Sequence, residues 1–141
     1  MAFLTHFLSV CLSALGFSYA LPNEMHPSGV PIGGFICLVP FFYALQTTGY
    51  GKKGVFYLSF TFGIVFHATS SWWLANFKDY AVWTLGATSV FYGFFYGIWG
   101  LLLHHAGKTG TGRPFLAALV WTVMEWQKSI GYFAFPWGLL P

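Results

Sequence analysis

Charge is what this sequence has least of. Its 141 residues include six Lys and Arg and three Asp and Glu, 6% of the chain, where a soluble domain carries roughly 25%. A surface facing water cannot be built from so few charged side chains. Apolar residues make up 57%, so the surrounding solvent must be lipid, in which an unpaired charge is costly. A basic run interleaved with aromatics, the footprint of a nucleic-acid binder, is also missing, and no nucleic-acid partner is expected. Cysteine is scarce. Cys11 and Cys37 both sit in apolar runs, fit neither a zinc site nor a CxxC redox pair, and read as small buried hydrophobes. Neither GxSxG, nor a phosphate loop, nor HExxH occurs, so no catalytic constellation, metal or cofactor is expected from motifs.

What is present is a series of apolar runs. Residues 2–21 form the first. Ser18-Tyr19-Ala20 loosely resembles a signal-peptide cleavage site, but no Lys or Arg precedes the run. Its length suits a bilayer crossing of about 20 residues, and an uncleaved first helix is expected. Pro22, Pro27 and Pro31, with Asn23, Ser28 and Gly29, break it. A shorter run, 32–45, contains Pro40, which a membrane helix tolerates as a kink when neighbours satisfy the freed carbonyl. A polar turn over 49–54 leads to runs at 55–75 and 81–103, separated by Asn76-Phe77-Lys78-Asp79-Tyr80. A basic turn over 107–114 precedes a fifth run, 115–124, which meets Glu125, Gln127 and Lys128 and ends near Gly131. The expected fold is an all-α integral membrane domain over 1–141 with about five transmembrane helices.

The short loops carry the orientation. Lys52 and Lys53 follow the second helix, and Lys108 and Arg113 follow the fourth. The loop after the first has no Lys or Arg, and Lys78 after the third stands beside Asp79. Alternate loops are basic, which places the N-terminus in the cytoplasm. Trp72, Trp73 and Trp83 flank the outer loop as an interfacial aromatic belt, joined at the chain end by Tyr132 and Trp137. Gly93 and Gly97 form a GxxxG with Gly100 beyond, a pattern that lets helix backbones approach and is read here as intramolecular packing.

Few side chains carry chemistry. Glu125 and Lys128 share a helix face at i and i+3 and are expected to pair, either as a structural ion pair or as a site that positions a polar headgroup or a neighbouring domain. His67, among apolar neighbours, is expected to make one interhelical hydrogen bond. His104 and His105 are adjacent and point about 100° apart on a helix, which suits snorkelling at the cytoplasmic edge better than a shared metal.

The segment 121–137 reads Trp-Thr-Val-Met-Glu-Trp-Gln-Lys-Ser-Ile-Gly-Tyr-Phe-Ala-Phe-Pro-Trp. It resembles the stretch of apolipoprotein N-acyltransferases with a Trp, a Glu four residues on, a basic residue, a Gly and then Phe-Pro-Trp. Trp121, Glu125, Lys128, Gly131, Phe135, Pro136 and Trp137 carry the match. Leu21-Pro22-Asn23-Glu24 followed by Val39-Pro40-Phe41 is similar to that family's first hairpin, and Ser71-Trp72-Trp73 to its aromatic turn. Lys128 departs from the pattern, standing where the family usually has Arg, and lacks the planar bidentate fork. The resemblance covers nearly all of this chain and roughly the front third of a family member.

The resemblance implies a multi-pass protein of the bacterial inner membrane that acts in lipoprotein maturation. Family members have further membrane helices and a nitrilase-like domain with a Glu-Lys-Cys triad. They move an acyl chain from a membrane phospholipid to that Cys and then to a lipoprotein. Cys11 and Cys37 lie in early apolar helices without a Glu or Lys partner, so no catalytic residue is carried over. These residues alone are therefore expected to be inactive, whether as a truncated product or as one piece of a split enzyme that pairs with a separate catalytic domain. A non-catalytic scaffold from that family is the alternative. A small multidrug-type transporter ranks behind both, because that class places its Glu in the first of four helices and Glu125 lies in the fifth run.

Overall fold

The computed structural model describes residues 2–22, 27–108 and 113–130. Among them all regular structure is helical: α1 (Ala2–Ala20), α2 (Pro31–Cys37), α3 (Val39–Thr47), α4 (Gly51–Ser70), a 3₁₀ segment (Trp72–Tyr80), a π-helical turn (Val82–Ala87), α5 (Thr88–Ala106) and α6 (Arg113–Ser129). Two helical stretches are long and apolar enough to cross a membrane, Ala2–Ala20 and Val82–Ala106, and Ile32–Thr47 is a shorter apolar helix.

The faces of these helices are arranged for lipid. On α1 the exposed side chains include Leu4, Leu8, Leu12 and Leu15, one stripe at helical spacing, while Val10, Ser13, Ala14 and Phe17 turn inward. On α5, Phe94, Ile98 and Leu102 face out, and Tyr92, Gly93, Tyr96 and Gly97 face in. Large apolar side chains line the exposed face as well as the interior, a surface that suits a hydrocarbon solvent.

Phe17, Phe41, Phe62, Phe66, Tyr96 and Trp121 build the core across five helices. Phe41 and Phe62 stack at 4.3 Å between ring centroids, and Phe17 lies 5.0 Å from Phe66. α4 and α5 form the tightest pair. A Cβ on Gly63 would lie 2.6 Å from the Tyr92 carbonyl oxygen, and one on Gly97 2.7 Å from the Phe56 ring. Gly93 meets Phe60 and Ile64, and Gly100 meets Ser59. The glycine spacing thus serves packing inside the chain, as expected from the sequence.

Several boundaries differ from the sequence reading, each for a local reason. The second run divides at Leu38 into α2 and α3, two residues before Pro40, whose ring excludes the regular helical hydrogen bond there. α4 begins at Gly51, at φ +62, so Lys52 and Lys53 lie in its first turn rather than in a loop. It ends at Ser70, where Thr69 Oγ1 donates to the Val65 carbonyl at 2.7 Å and Ser70 Oγ to the His67 carbonyl at 3.5 Å. Such local bonds compete with continued helix. The segment 76–80, read as a loop, continues in 3₁₀ turns kinked at Phe77 and Lys78. Thr84 Oγ1 ties the 3₁₀ segment to the following turn by donating to the Leu74 carbonyl at 2.8 Å and the Tyr80 carbonyl at 3.1 Å. Arg113 and Pro114, read as turn, open α6, a position where proline's fixed φ fits the first helical turn. Cys11 and Cys37 are half-buried rather than buried, and Cys37 packs against Gly16 of α1.

Candidate functional site

α6 carries the residues of interest. Trp121, Met124 and Lys128 are buried, and Glu125 is half-buried beside them. Trp121, 4% exposed, sits among Phe17, Phe42 and Tyr96 at centroid separations of 6.0, 5.8 and 6.4 Å. Its indole N–H is buried and has no hydrogen-bond partner among the described residues. On the neighbouring turn Trp99 Nε1 donates to Gln127 Oε1 at 3.1 Å and ties α5 to α6.

Lys128 is 3% exposed. Its ammonium lies 5.1 Å from the Phe66 ring centroid and 5.7 Å from that of Tyr92. A cation on two aromatic faces away from solvent gains about 2 kcal/mol from each well-placed ring. Tyr92 also stacks on His67 at 4.6 Å, and His67 Nε2 shares a hydrogen bond of 3.1 Å with Thr88 Oγ1. This is the interhelical bond expected of His67, linking α4 to α5. A compact polar cluster, Lys128, Tyr92, His67 and Thr88, therefore lies inside the bundle where α4, α5 and α6 meet. The Lys128 charge there is met by the Phe66 and Tyr92 rings and by the field of Glu125.

The pairing expected of Glu125 and Lys128 rests on their shared helix face, and the Glu125 carboxylate lies close enough to act electrostatically on the Lys128 ammonium. Lys128 enters the bundle, and Glu125 also borders a groove between α6 and α3. That groove encloses about 920 Å³. Leu38 at the break between α2 and α3 lines it with Phe42 and Gln46 of α3, Trp121 forms part of its wall, and Lys108 and Arg113 border it. Near that end Gln46 packs on Gly107 and lies 3.5 Å from the Leu103 carbonyl, and His104 bonds to the Leu45 carbonyl. Pairing with a backbone carbonyl, rather than snorkelling, thus accounts for His104, while His105 is exposed.

Of the aromatic belt, Trp72 and Trp83 are exposed, and half-buried Trp73 lies 6.4 Å from Phe77. Gly131, Tyr132, Phe135, Pro136 and Trp137 lie outside the described residues, as do Asn23 and Glu24. The sequence reading missed Phe66, Tyr92 and Thr88 as partners of the polar residues. They look like core positions, and only the crossing of α4 and α5 brings them under Lys128. The groove had a faint signal: the four-residue spacing of Leu38, Phe42 and Gln46, and the small pair Ala117-Ala118 on α6. Among the described residues no cluster of three His, Cys, Asp or Glu is placed to hold a metal ion.

Comparison with known proteins agrees on one family. The profile of the apolipoprotein N-acyltransferase N-terminal domain matches residues 7–141. "Apolipoprotein N-acyltransferase 2" of Treponema denticola is 40% identical over 142 aligned residues, covering 100% of this chain and 27% of that protein. The Treponema pallidum protein of the same name is 37% identical, covering 95% of this chain and 24% of its own length. "Apolipoprotein N-acyltransferase" of Borreliella burgdorferi is 28% identical across 92% of this chain and 25% of its own. The chain thus spans about a quarter of the length of the curated relatives it matches. No solved structure matches it.

Proposed function

This chain belongs to the apolipoprotein N-acyltransferase family, matching its N-terminal domain, and we propose that it is the membrane portion of a phospholipid-to-lipoprotein acyl-transfer machine in the bacterial inner membrane. The observation that carries this is the match through residues 121–137, with the basic residue of the family pattern held as a buried cation on Phe66 and Tyr92. In this reading the helices cross the membrane about five times, with the N-terminus and the Lys52-Lys53 and Lys108-Arg113 ends in the cytoplasm. α6 then leads Gly131, Phe135, Pro136 and Trp137 to the outer interface. Trp72, Trp73 and Trp83 mark the same outer level. Glu125 and Lys128 fix the end of α6 where a nitrilase-like catalytic domain docks and phospholipid enters. Lys128 keeps the charge of the family's arginine, and the rings replace the geometric hold of the lost fork.

These residues supply position rather than a nucleophile. Covalent acyl transfer needs an activated nucleophile with a base within hydrogen-bond reach. α1 and the α2–α3 pair, which bear the two cysteines, contain no Glu, Asp, Lys or Arg. The 141 residues expressed by themselves in a strain depleted of N-acyltransferase should give no triacylated lipoprotein. A chimaera in which they replace the matching segment of a Treponema relative should restore N-acylation. An inserted, stable but inactive chimaera would favour a non-catalytic scaffold, and triacylated product from the 141 residues alone would refute the division of labour. The multidrug-type reading is disfavoured by the place of Glu125, on α6 rather than on the first helix.

A further inference from the structure

We propose that His67 and Thr88 form a latch that holds the π-helical turn Val82–Ala87 in place, and so couples the position of the 3₁₀ segment Trp72–Tyr80 to that of Lys128 inside the bundle. Neither end of this latch rests on acyl transfer.

The backbone comes first. A π-turn is wider than regular helix by one residue, and such turns are rare and frequently lie at functional sites. Thr88 ends this one by giving its backbone N–H to the Leu85 carbonyl, so the Thr84 carbonyl does not receive it as it would in an α-helix. The Thr88 hydroxyl donates to the Thr84 carbonyl instead. Its single proton is then committed, and its lone pairs are left to accept from His67 Nε2 at 3.1 Å. A side chain of α4 thus fixes the hydroxyl that stabilises the wide turn at the start of α5.

The segment ahead of the turn is tied to it. Thr84, inside the turn, donates through Oγ1 to the Leu74 and Tyr80 carbonyls. Between those two residues Lys78 stands at φ +50, which non-glycine residues seldom adopt. That kink is the place to absorb the residue which a tightening turn would release. Passing one residue out of the wide turn rotates the segment by about 100° around α5. Trp72, Tyr80 and Trp83 are exposed, so a partner can grip the segment without opening the core.

The other end of the latch is cationic. The His67 ring stacks on Tyr92 at 4.6 Å, and Tyr92 lies 5.7 Å under the Lys128 ammonium. Lys128 is also close enough to act electrostatically on His67. Moving His67 off Thr88 therefore disturbs the stack beneath Lys128. Coupling of this kind is reciprocal, so removing the cation loosens the turn.

Pulsed electron paramagnetic resonance of the full chain in detergent tests this. With Cys11→Ala and Cys37→Ala, spin labels are placed at Tyr80→Cys and Ile98→Cys, both exposed positions, and one distance is expected. Thr88→Val keeps the side-chain shape without the hydroxyl. It should add a population displaced by about 7 Å, from a rotation of about 100° at a side-chain radius of about 5 Å. Thr88→Ser should keep the original distance. His67→Leu and Lys128→Met should each populate the displaced one. A second label pair, Lys53→Cys with Ile98→Cys, reports whether α4 and α5 stay together and should hold its distance in every variant. An unmoved first pair in Thr88→Val or in Lys128→Met would overturn the proposal. So would an equal displacement in Thr88→Ser. Both pairs shifting together would make these residues merely structural, and would overturn it as well.

Discussion

α4 and α5 approach through Gly63, Gly93, Gly97 and Gly100, each covered by a side chain or carbonyl of the other helix. α6 faces α3 instead across an open groove, bridged at its floor by Trp121 against Phe42. The two pairs differ in what fills the space between backbones. Glycine lets the α4–α5 backbones close, and dispersion contacts gather without side-chain entropy being lost. The alanines of α6 are equally small, yet nothing from α3 reaches over to cover them. Only the large indole spans the gap. Small residues thus make a tight joint where the partner interdigitates and a cavity where it does not.

The largest effect expected from breaking this comparison lies at Trp121. Trp121→Ala removes the one side chain that joins α6 to Phe17, Phe42 and Tyr96 together, and should lower stability by about 3–5 kcal/mol. Thermal unfolding in detergent would show this, and a loss under about 1 kcal/mol would mean that α6 is held elsewhere. A smaller effect separates the two joints directly. Gly63→Ala gains about 1 kcal/mol in helix propensity. It sets a Cβ 2.6 Å from a backbone oxygen that cannot swing aside, for an overpacking cost of up to about 3 kcal/mol, so a net loss of about 2 is expected. Ala118→Val on the groove wall should stay within about 0.5 kcal/mol. If the two substitutions behaved alike, the contrast between the joints would be empty.

Much of the tight joint was legible in the sequence, and little of the loose one. Glycines at 93, 97 and 100 announce close approach, and His67 in an apolar run announces a partner on another helix. What the chain pattern withholds is the other half of each contact. Thr88 and Tyr92 become partners of His67 and Lys128 only once α4 and α5 cross. Helix ends shifted for similar reasons, since Thr69 and Ser70 bond back to α4 carbonyls that a hydropathy run does not register. The groove is a relation between Leu38, Phe42 and Gln46 along the α2–α3 run and alanines some seventy residues later, and no local period encodes such a relation.

Both joints matter to function only if the bundle sits in a membrane with its basic ends inside. Cysteine accessibility measures this most directly. In a chain with Cys11→Ala and Cys37→Ala, single cysteines at Lys52→Cys and Asn76→Cys would be probed with a membrane-impermeant thiol reagent added to intact spheroplasts. Position 76 should label at once, and position 52 only after the membrane is opened. Labelling of position 52 from outside with 76 protected would contradict the orientation, and free labelling of both in intact cells would contradict the membrane bundle itself.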